Sequence, residues 1–265
     1  MEDIAAIRER ALTATGQDLA NLLHHPATDV LLALLENPAL DESQLTILLG
    51  RGDLPAEILE ETARRKPLLK NYRVKRAIVL HPHAPRLVAM RLLRNLYLMD
   101  LVRAALSPAI PGEVRRRAED HVLARLKQLP LGQKITLARR GPARVAGALL
   151  AEGHPMILDV VPNNPYLTES QVLKVLSRER LPVPVLLAIG HHRKWSVLYN
   201  VRAALVRHPG SPLGLVLGFL PHLTLNDLRE LSAPGLLSEN LRRYLAAEVA
   251  RRSAQPEAPP LPDSA

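Results

Sequence analysis

YRVKRAIVLHPHAP, from Tyr72 to Pro85, and YNVRAALVRHPGSP, from Tyr199 to Pro212, are the two stretches on which the fold is read. Superimposed at a fixed offset, Tyr72 on Tyr199, they share Tyr, Val, Ala, Val, His, Pro and Pro. Within the second, Val201, Ala204, Leu205 and Pro209 fall at i, i+3, i+4 and i+8, the spacing of one helical face. The same offset aligns NPALDESQLTILLGRGDLP (Asn37 to Pro55) with NPYLTESQVLKVLSRERLP (Asn164 to Pro182) without a gap. It also aligns LLRNLYLMDL (Leu92 to Leu101) with FLPHLTLNDL (Phe219 to Leu228). About 25 of some 85 positions are identical, which reads as an internal duplication. Further upstream, His25-Pro26 resembles His154-Pro155 only at an offset two positions larger, so a small insertion is expected there.

A shorter beat runs inside each half. His or Asn followed by Pro recurs at His25, Asn37, His81, His154, Asn164 and His208, between apolar stretches with helical spacing. In DESQLTILLGRG, Asp41 or Ser43 is placed to cap a helix, Leu45, Leu48 and Leu49 face one way, and Gly50 or Gly52 closes it. Pro55, Pro85, Pro182 and Pro212 suit the first turn of the next helix, where no N–H is needed. No stretch alternates with period two between hairpin turns. The expectation is therefore an all-α chain of some 12 to 15 short helices. Short helices expose stripes that one neighbour cannot cover, and stacking buries them. The expected architecture is a curved α-solenoid of two duplicated halves, 1–127 and 128–250, sharing one continuous stack. Pro-rich RRSAQPEAPPLPDSA, 251–265, is expected to be a disordered tail, with PPLP a weak candidate for a proline-reading groove.

These patterns carry a family resemblance. The pattern V-[KR]-x-A-[IL]-V-x-H-P-x-x-P covers Val74, Lys75, Ala77, His81 and Pro82, and again Val201, Arg202, Ala204, His208 and Pro209. It resembles the leucine-rich-repeat variant and HEAT-like helical repeats of bacterial proteins. The resemblance implies architecture and says almost nothing of function. Founding members of the variant family carry an iron–sulfur cluster on an N-terminal cysteine group. With no cysteine here, that cofactor does not carry over, and none is expected. In HEAT-like repeats an Asp often pairs with an Arg of the neighbouring repeat. Asp100 and Asp227 occupy equivalent places, and the resemblance suggests Lys75 and Arg202 as their partners.

Composition excludes several chemistries. The 265 residues are 47% apolar and only 3% aromatic, an aliphatic content that suits helix-on-helix packing. Zero cysteine removes disulfides, thiolate metal sites and a Cys nucleophile. The start of the sequence lacks the pattern of a secretory signal, and the longest apolar run, Leu213 to Leu220, is far short of a span. A cytoplasmic protein without a membrane partner is expected. Ten His residues raise a metal site, but none shows the i, i+4 spacing with a carboxylate that zinc needs. His81 and His208, each before Pro at a helix end, read instead as donors to free carbonyls. Phosphate-cradle and nucleophile motifs are absent. Glu60 and Glu61 read as i, i+4 partners of Arg64 and Arg65 rather than a catalytic dyad.

The net charge of +9, from 28 Arg and 7 Lys against 26 acids, is the remaining functional signal. Arg73, Arg76, Arg86, Arg91 and Arg94 are candidates for a stripe that tracks a phosphate backbone. Arg-rich composition and solvated helix faces explain the same residues. The expected function is a non-enzymatic scaffold that binds another macromolecule, foremost a protein, on its curved face. Sequence-independent nucleic-acid binding is the alternative, and charge placement separates the two: convergence on one face favours nucleic acid, pairing within the chain favours the scaffold. A HEAT-like DNA glycosylase is the weakest reading, since it needs a Trp, Asp and Arg group and only Trp195 is present.

Overall fold

The computed structural model describes residues 3–232 and 239–253. Among them every regular element is a helix, and no strand occurs. Two compact units divide the chain, Met1–Lys127 and Gln128–Ala265. The first holds α1 (Ile4–Thr13), α2 (Gly16–Leu22), α3 (Thr28–Leu34), α4 (Glu42–Leu49), α5 (Ala56–Arg64), α6 (Tyr72–Leu80), α7 (Arg86–Leu93), α8 (Leu98–Leu106) and α9 (Gly112–Arg125). The second holds α10 (Leu131–Arg140), α11 (Ala143–Glu152), α12 (Pro155–Leu158), α13 (Glu169–Leu176), α14 (Val183–Gly190), α15 (Tyr199–Arg207), α16 (Leu213–Phe219), α17 (Leu225–Leu231) and α18 (Glu239–Ser253). The eighteen α-helices among the described residues exceed the expected 12 to 15, because several are only one or two turns long.

Every helix start in the second unit follows its counterpart in the first by one constant interval, from Ile4 and Leu131 through Gly112 and Glu239. This is the offset that superimposes Tyr72 on Tyr199. It holds for α1, α2 and α3 as well, so no insertion separates the leading parts. The match at the larger offset paired unlike places: His154 is the N-cap of α12, whereas His25 precedes the N-cap of α3, Ala27, by two positions.

Local chemistry sets the helix ends. Asp41 caps α4 in a reciprocal capping box with Gln44. Asn71, Thr168 and Thr224 cap α6, α13 and α17 with their side chains. Pro55, Pro85, Pro182 and Pro212 occupy the N-cap itself, one residue before the first turn where they were expected. Their fixed φ suits the extended N-cap, and their carbonyls accept the first helical bonds, as Pro85 does from Ala89 at 3.0 Å. The C-cap of α11, Gly153, has φ +75, and a Cβ there would come within 2.9 Å of Pro182, so only glycine fits both the turn and the contact.

Within each unit, helices pack against the next but one as well as the next. In the first, α1 meets α3, α3 meets α5, α4 meets α6, α6 meets α8 and α7 meets α9. In the second, α10 meets α12, α12 meets α14, α11 meets α13 and α13 meets α15. The core between these rows is aliphatic, with Leu31, Leu34, Leu48, Ile58, Ile78 and Leu93 almost wholly buried. Val74 and Val201 are buried, but Ala77 and Ala204 are only half-buried and Pro209 is exposed. The inward face of α15 is instead Val201, Ala203, Leu205 and Val206.

Against this core the buried polar residues stand out. Among the described residues they are Asn37, Thr62, His81, Asn164 and His208. Thr62 bonds back to its own helix, at Ile58, over 2.7 Å. The other four all precede a proline, and their positions pair at the same interval as the helix starts, Asn37 with Asn164 and His81 with His208. Asn37 donates to the Ala11 and Ala14 carbonyls at 2.8 and 2.9 Å, and accepts from the Ala39 N–H. Asn164 donates to the Ala138 and Gly141 carbonyls at 2.9 and 3.1 Å, and accepts from the Tyr166 N–H. Each amide therefore closes its own turn and ties it to the end of the helix two before.

α18 continues to Ser253, so the second helical body extends three residues past the expected limit at 250, and the expected tail is helical at Arg251, Arg252 and Ser253. Residues 254–265, with the PPLP stretch, lie outside the described residues.

Asn164→Ala removes a buried donor and acceptor together. We expect it to lower unfolding stability by about 2–3 kcal/mol, since three backbone groups lose their partner. Asn164→Asp, which aims a carboxylate at two carbonyls, is expected to cost more still. Urea denaturation checks both, and a loss below about 0.5 kcal/mol for Asn164→Ala contradicts the role assigned to this side chain.

Candidate interaction face

An α-helix leaves its last four carbonyls without intrahelical partners, so chains built from short helices must find donors for many of them. Here the donors come from the segment that ends the helix two positions later. Arg51, beyond α4, donates to the Leu23 and His25 carbonyls beyond α2, at 2.7 and 3.0 Å. Arg65, at the end of α5, donates to the Leu35 carbonyl at the end of α3. His81, at the end of α6, reaches the Arg51 carbonyl at 2.6 Å. Arg91 in α7 donates to the Ala63 carbonyl in α5 at 3.2 Å. Arg125, closing α9, donates to the Leu96 and Arg94 carbonyls beyond α7, at 2.9 and 3.3 Å. The second unit does the same. His208 reaches Arg178 O at 2.9 Å, Trp195 Nε1 donates to Pro162 O at 2.9 Å, and Arg252 donates to Leu223 O and Leu220 O at 2.9 and 3.1 Å.

His81 is locked at both ring nitrogens. The backbone N–H of His83 can only donate, so Nδ1, 3.1 Å away, accepts, and the ring proton sits on Nε2 facing Arg51 O. His208 repeats this with the Gly210 N–H at 3.0 Å. These histidines do donate to carbonyls, but to those of a neighbouring helix and not their own. Burial holds the His81 pKa below its ordinary 6.5, outweighing the hydrogen bond to Arg51.

Asp100 and Asp227 link α8 to α6 and α17 to α15. Asp100 accepts from Arg76 Nε at 2.7 Å and from the Tyr72 hydroxyl. Asp227 accepts from Arg207 at 2.5 Å, from the Thr224 hydroxyl at 2.7 Å and from the Tyr199 hydroxyl. The expected partners, Lys75 and Arg202, are thus replaced by Arg76 and Arg207. The basic residue that reaches the acid lies one position later in α6 and five later in α15. Arg202 donates to the Ser196 carbonyl at 2.6 Å instead. The two tyrosines, each the first residue of its helix, are the constant members. Hydrogen bonds from Tyr199 first, then Thr224 and Arg207, hold Asp227 below the usual carboxylate range, and burial followed by the bond to Asp100 raises Tyr72.

The five stripe candidates separate. Arg76 is paired with Asp100, Arg86 with Glu113 at 2.7 Å, and Arg91 is tied to a backbone carbonyl. Arg94 is exposed on the end of α7. Arg73 is exposed on α6. It lines a groove of about 530 Å³ with Arg76, Ala77, Leu80, His81 and Pro82. Thr46, Leu49, Gly50 and Gly52 complete one wall, and Arg103 of α8 faces them. Arg103 had carried no expectation, because it lies outside the repeat motif. On two of the helices that line the groove, Ile47 of α4 and Met99 of α8 are 51% and 52% exposed.

Glu60 and Arg64 stand 3.6 Å apart, and Glu61 and Arg65 3.0 Å, as surface pairs. Among the described residues no group of three or more His, Asp or Glu is placed to hold a metal ion. No described helix is long and apolar enough to cross a membrane. Trp195 is 1% exposed, inside the core. Comparison of the chain with protein-family models, with curated proteins and with solved structures finds no match.

The His81 geometry sets a pH dependence. Its folded pKa is depressed, as are those of His121 and His192, where burial is again the first cause. Their contribution is complete above the unfolded value of about 6.5 and is lost as pH falls below it toward the folded values. Thermal melts at about pH 7.5 and pH 5.5 are expected to show a lower Tm at the acid value. His81→Ala is expected to cost about 1–3 kcal/mol at pH 7.5 and to shrink that difference. A pH difference as large in His81→Ala as in the parent contradicts the assignment.

Proposed function

We propose that the chain is an internally duplicated α-solenoid that works as a non-enzymatic scaffold, binding another protein on the face that α4, α6 and α8 present. Several observations support the architecture: two sets of helix starts related by one constant interval, packing of each helix on the next but one, and polar links repeated at the same interval. The resemblance to HEAT-like and leucine-rich-repeat-variant proteins accords with them. A cytoplasmic setting suits a chain without cysteine.

One observation carries the functional reading, the fate of the arginines. Arg51, Arg65, Arg91, Arg125 and Arg252 are held by backbone carbonyls, and Arg76, Arg86 and Arg207 by carboxylates. Helix C-termini are the negative ends of helix dipoles, so cations there serve the fold. A phosphate backbone needs cations free to neutralise it, and much of the Arg content is already committed. The Tyr–Asp–Arg links occur once in each unit, which suits a structural device better than a single active site. Exposed apolar side chains at Ile47 and Met99, on helices that line a groove, supply what a protein partner recognises.

Fluorescence anisotropy with a mixed-sequence DNA duplex and a structured RNA, from about 50 to 200 mM salt, tests the charge argument. No saturable binding is expected at the upper end; tight binding with a steep log–log salt slope would mean the nucleic-acid alternative. Quantitative affinity capture with the full chain tests the other side. A protein partner is expected that is retained by the parent and lost by Ile47→Asp/Met99→Asp, a variant whose melting is unchanged. Partners captured equally by both would place the interaction elsewhere.

A further inference from the structure

The groove between α4, α6 and α8 is chemically unlike its counterpart in the second unit. Its three guanidinium groups come from Arg73, Arg76 and Arg103. At the equivalent positions of the second unit stand Asn200, Ala203 and Glu230. Asn200 is bonded to Glu169 at 3.0 Å, and Glu230 to Arg207 at 3.3 Å. The second unit therefore neutralises this place internally. Of the three groove arginines only Arg76 has a carboxylate partner, Asp100, and no acidic residue lines the groove. The side chains of Arg73 and Arg103 make no ion pair or hydrogen bond among the described residues, and both are exposed. Cations that at this place stay out of the carbonyl ladder, in the first unit and not at the equivalent positions of the second, are cations left available for a ligand.

We infer that this groove binds an acidic peptide segment of a partner protein, with Asp or Glu carboxylates between Arg73 and Arg103 and an apolar side chain against Ile47 or Met99. The inference rests on the scaffold reading and names the chemistry of its partner. Charge complementarity gives the sign of the ligand. The groove walls decide between a peptide and a phosphate chain. They include the last turns of α4 and α6, whose carbonyl ends accept hydrogen bonds and carry the negative end of each helix dipole. A peptide brings backbone N–H donors to such a wall. A nucleic-acid backbone brings only acceptors, so it offers those carbonyls no donor. Guanidinium groups fork onto carboxylates in planar, two-bond geometry, which fixes the register of the segment. The volume of about 530 Å³ falls within the range of small-ligand sites and admits a short stretch of chain. Leu49, Ala77 and Leu80 give it an apolar lining beside the cations.

The test is selection of peptides from a random displayed library on the full chain, with counter-selection against Arg73→Glu/Arg103→Glu. Both residues are exposed and without side-chain partners among the described residues, so circular dichroism melts of the variant should match the parent. The expected peptides carry Asp or Glu beside an apolar residue. Their Kd by anisotropy should rise at least tenfold on the double variant, and tenfold salt dilution should tighten binding to the parent. Enriched peptides without acids, or none that distinguish parent from variant, would overturn the inference. So would an oligo-dT strand that binds the parent and is lost from the variant, because it would assign the groove to phosphate. If these peptides fail while Ile47→Asp/Met99→Asp still loses its captured partner, the scaffold reading stands and only the acidic ligand falls.

Discussion

A donor side chain placed after one helix, bonded to a carbonyl at the end of the helix two before it, is the interaction on which the rest of this structure depends. Most of these helices have seven to ten residues, so carbonyls without intrahelical partners are a large share of every helix. Water can satisfy them only at the surface. Inside, each must meet a donor that the chain itself supplies. Asn37, His81, Asn164 and His208 do so from buried positions, and Arg51, Arg91, Arg125 and Arg252 do so from the margin. Because each donor reaches back about two helices, it also fixes the distance and angle between layers that aliphatic contacts alone leave loosely specified. Leucine supplies much of the burial, and the polar rungs give the packing its register.

The proline after each buried Asn or His has a matching reason. Its preceding residue is held in extended backbone, which points the side chain away from the helix just ended and toward the neighbour. The side-chain acceptor then takes the N–H two residues on, so one residue stops a helix, shapes the turn and binds the layer before it. This accounts for the recurrence of the dipeptide with Asn in one place and His in another: both side chains carry a donor for a neighbouring carbonyl and an acceptor for the turn. His25 and His154 share the dipeptide but are only half-buried as residues, and neither forms the link.

Helical class, the constant interval between the halves and the equivalence of Asp100 with Asp227 were legible in the residues, because apolar period and repeated letters report directly on buried faces. The partner of each Asp was not. Lys75 and Arg202 stand at the repeated position, but the guanidinium groups that reach are one position away in α6 and five in α15, and only the helix packing selects them. Tyr72 and Tyr199 were visible as repeated letters but gave no hint of a hydroxyl aimed at an acid. Arg125 and Arg252 are separated by the same interval, a signal available beyond the aligned block. The groove was half legible: Arg73 and Arg76 lay in the stripe, while Arg103 could be found only by seeing α8 beside α6. Net charge misled in a definite way, since it counts arginines without regard to whether a carbonyl or a carboxylate already holds them.

The two halves share a frame and differ where the frame does not need agreement. The rungs at Asn37 and Asn164, His81 and His208, and Arg125 and Arg252 keep their chemistry from one half to the other, while Asn200 and Glu230 stand where the first half has Arg73 and Arg103. Binding residues are expected in such places, where the fold leaves them free to vary. The frame itself is tested most directly at its buried histidines, by long-range nitrogen–proton NMR correlation on histidine-labelled protein near neutral pH. The account requires His81 and His208 to be neutral, with the proton on Nε2 and Nδ1 bare as an acceptor. A proton on Nδ1, or a charged ring at either residue, would contradict it, because the N–H two residues on would then face a donor and the rung could not form.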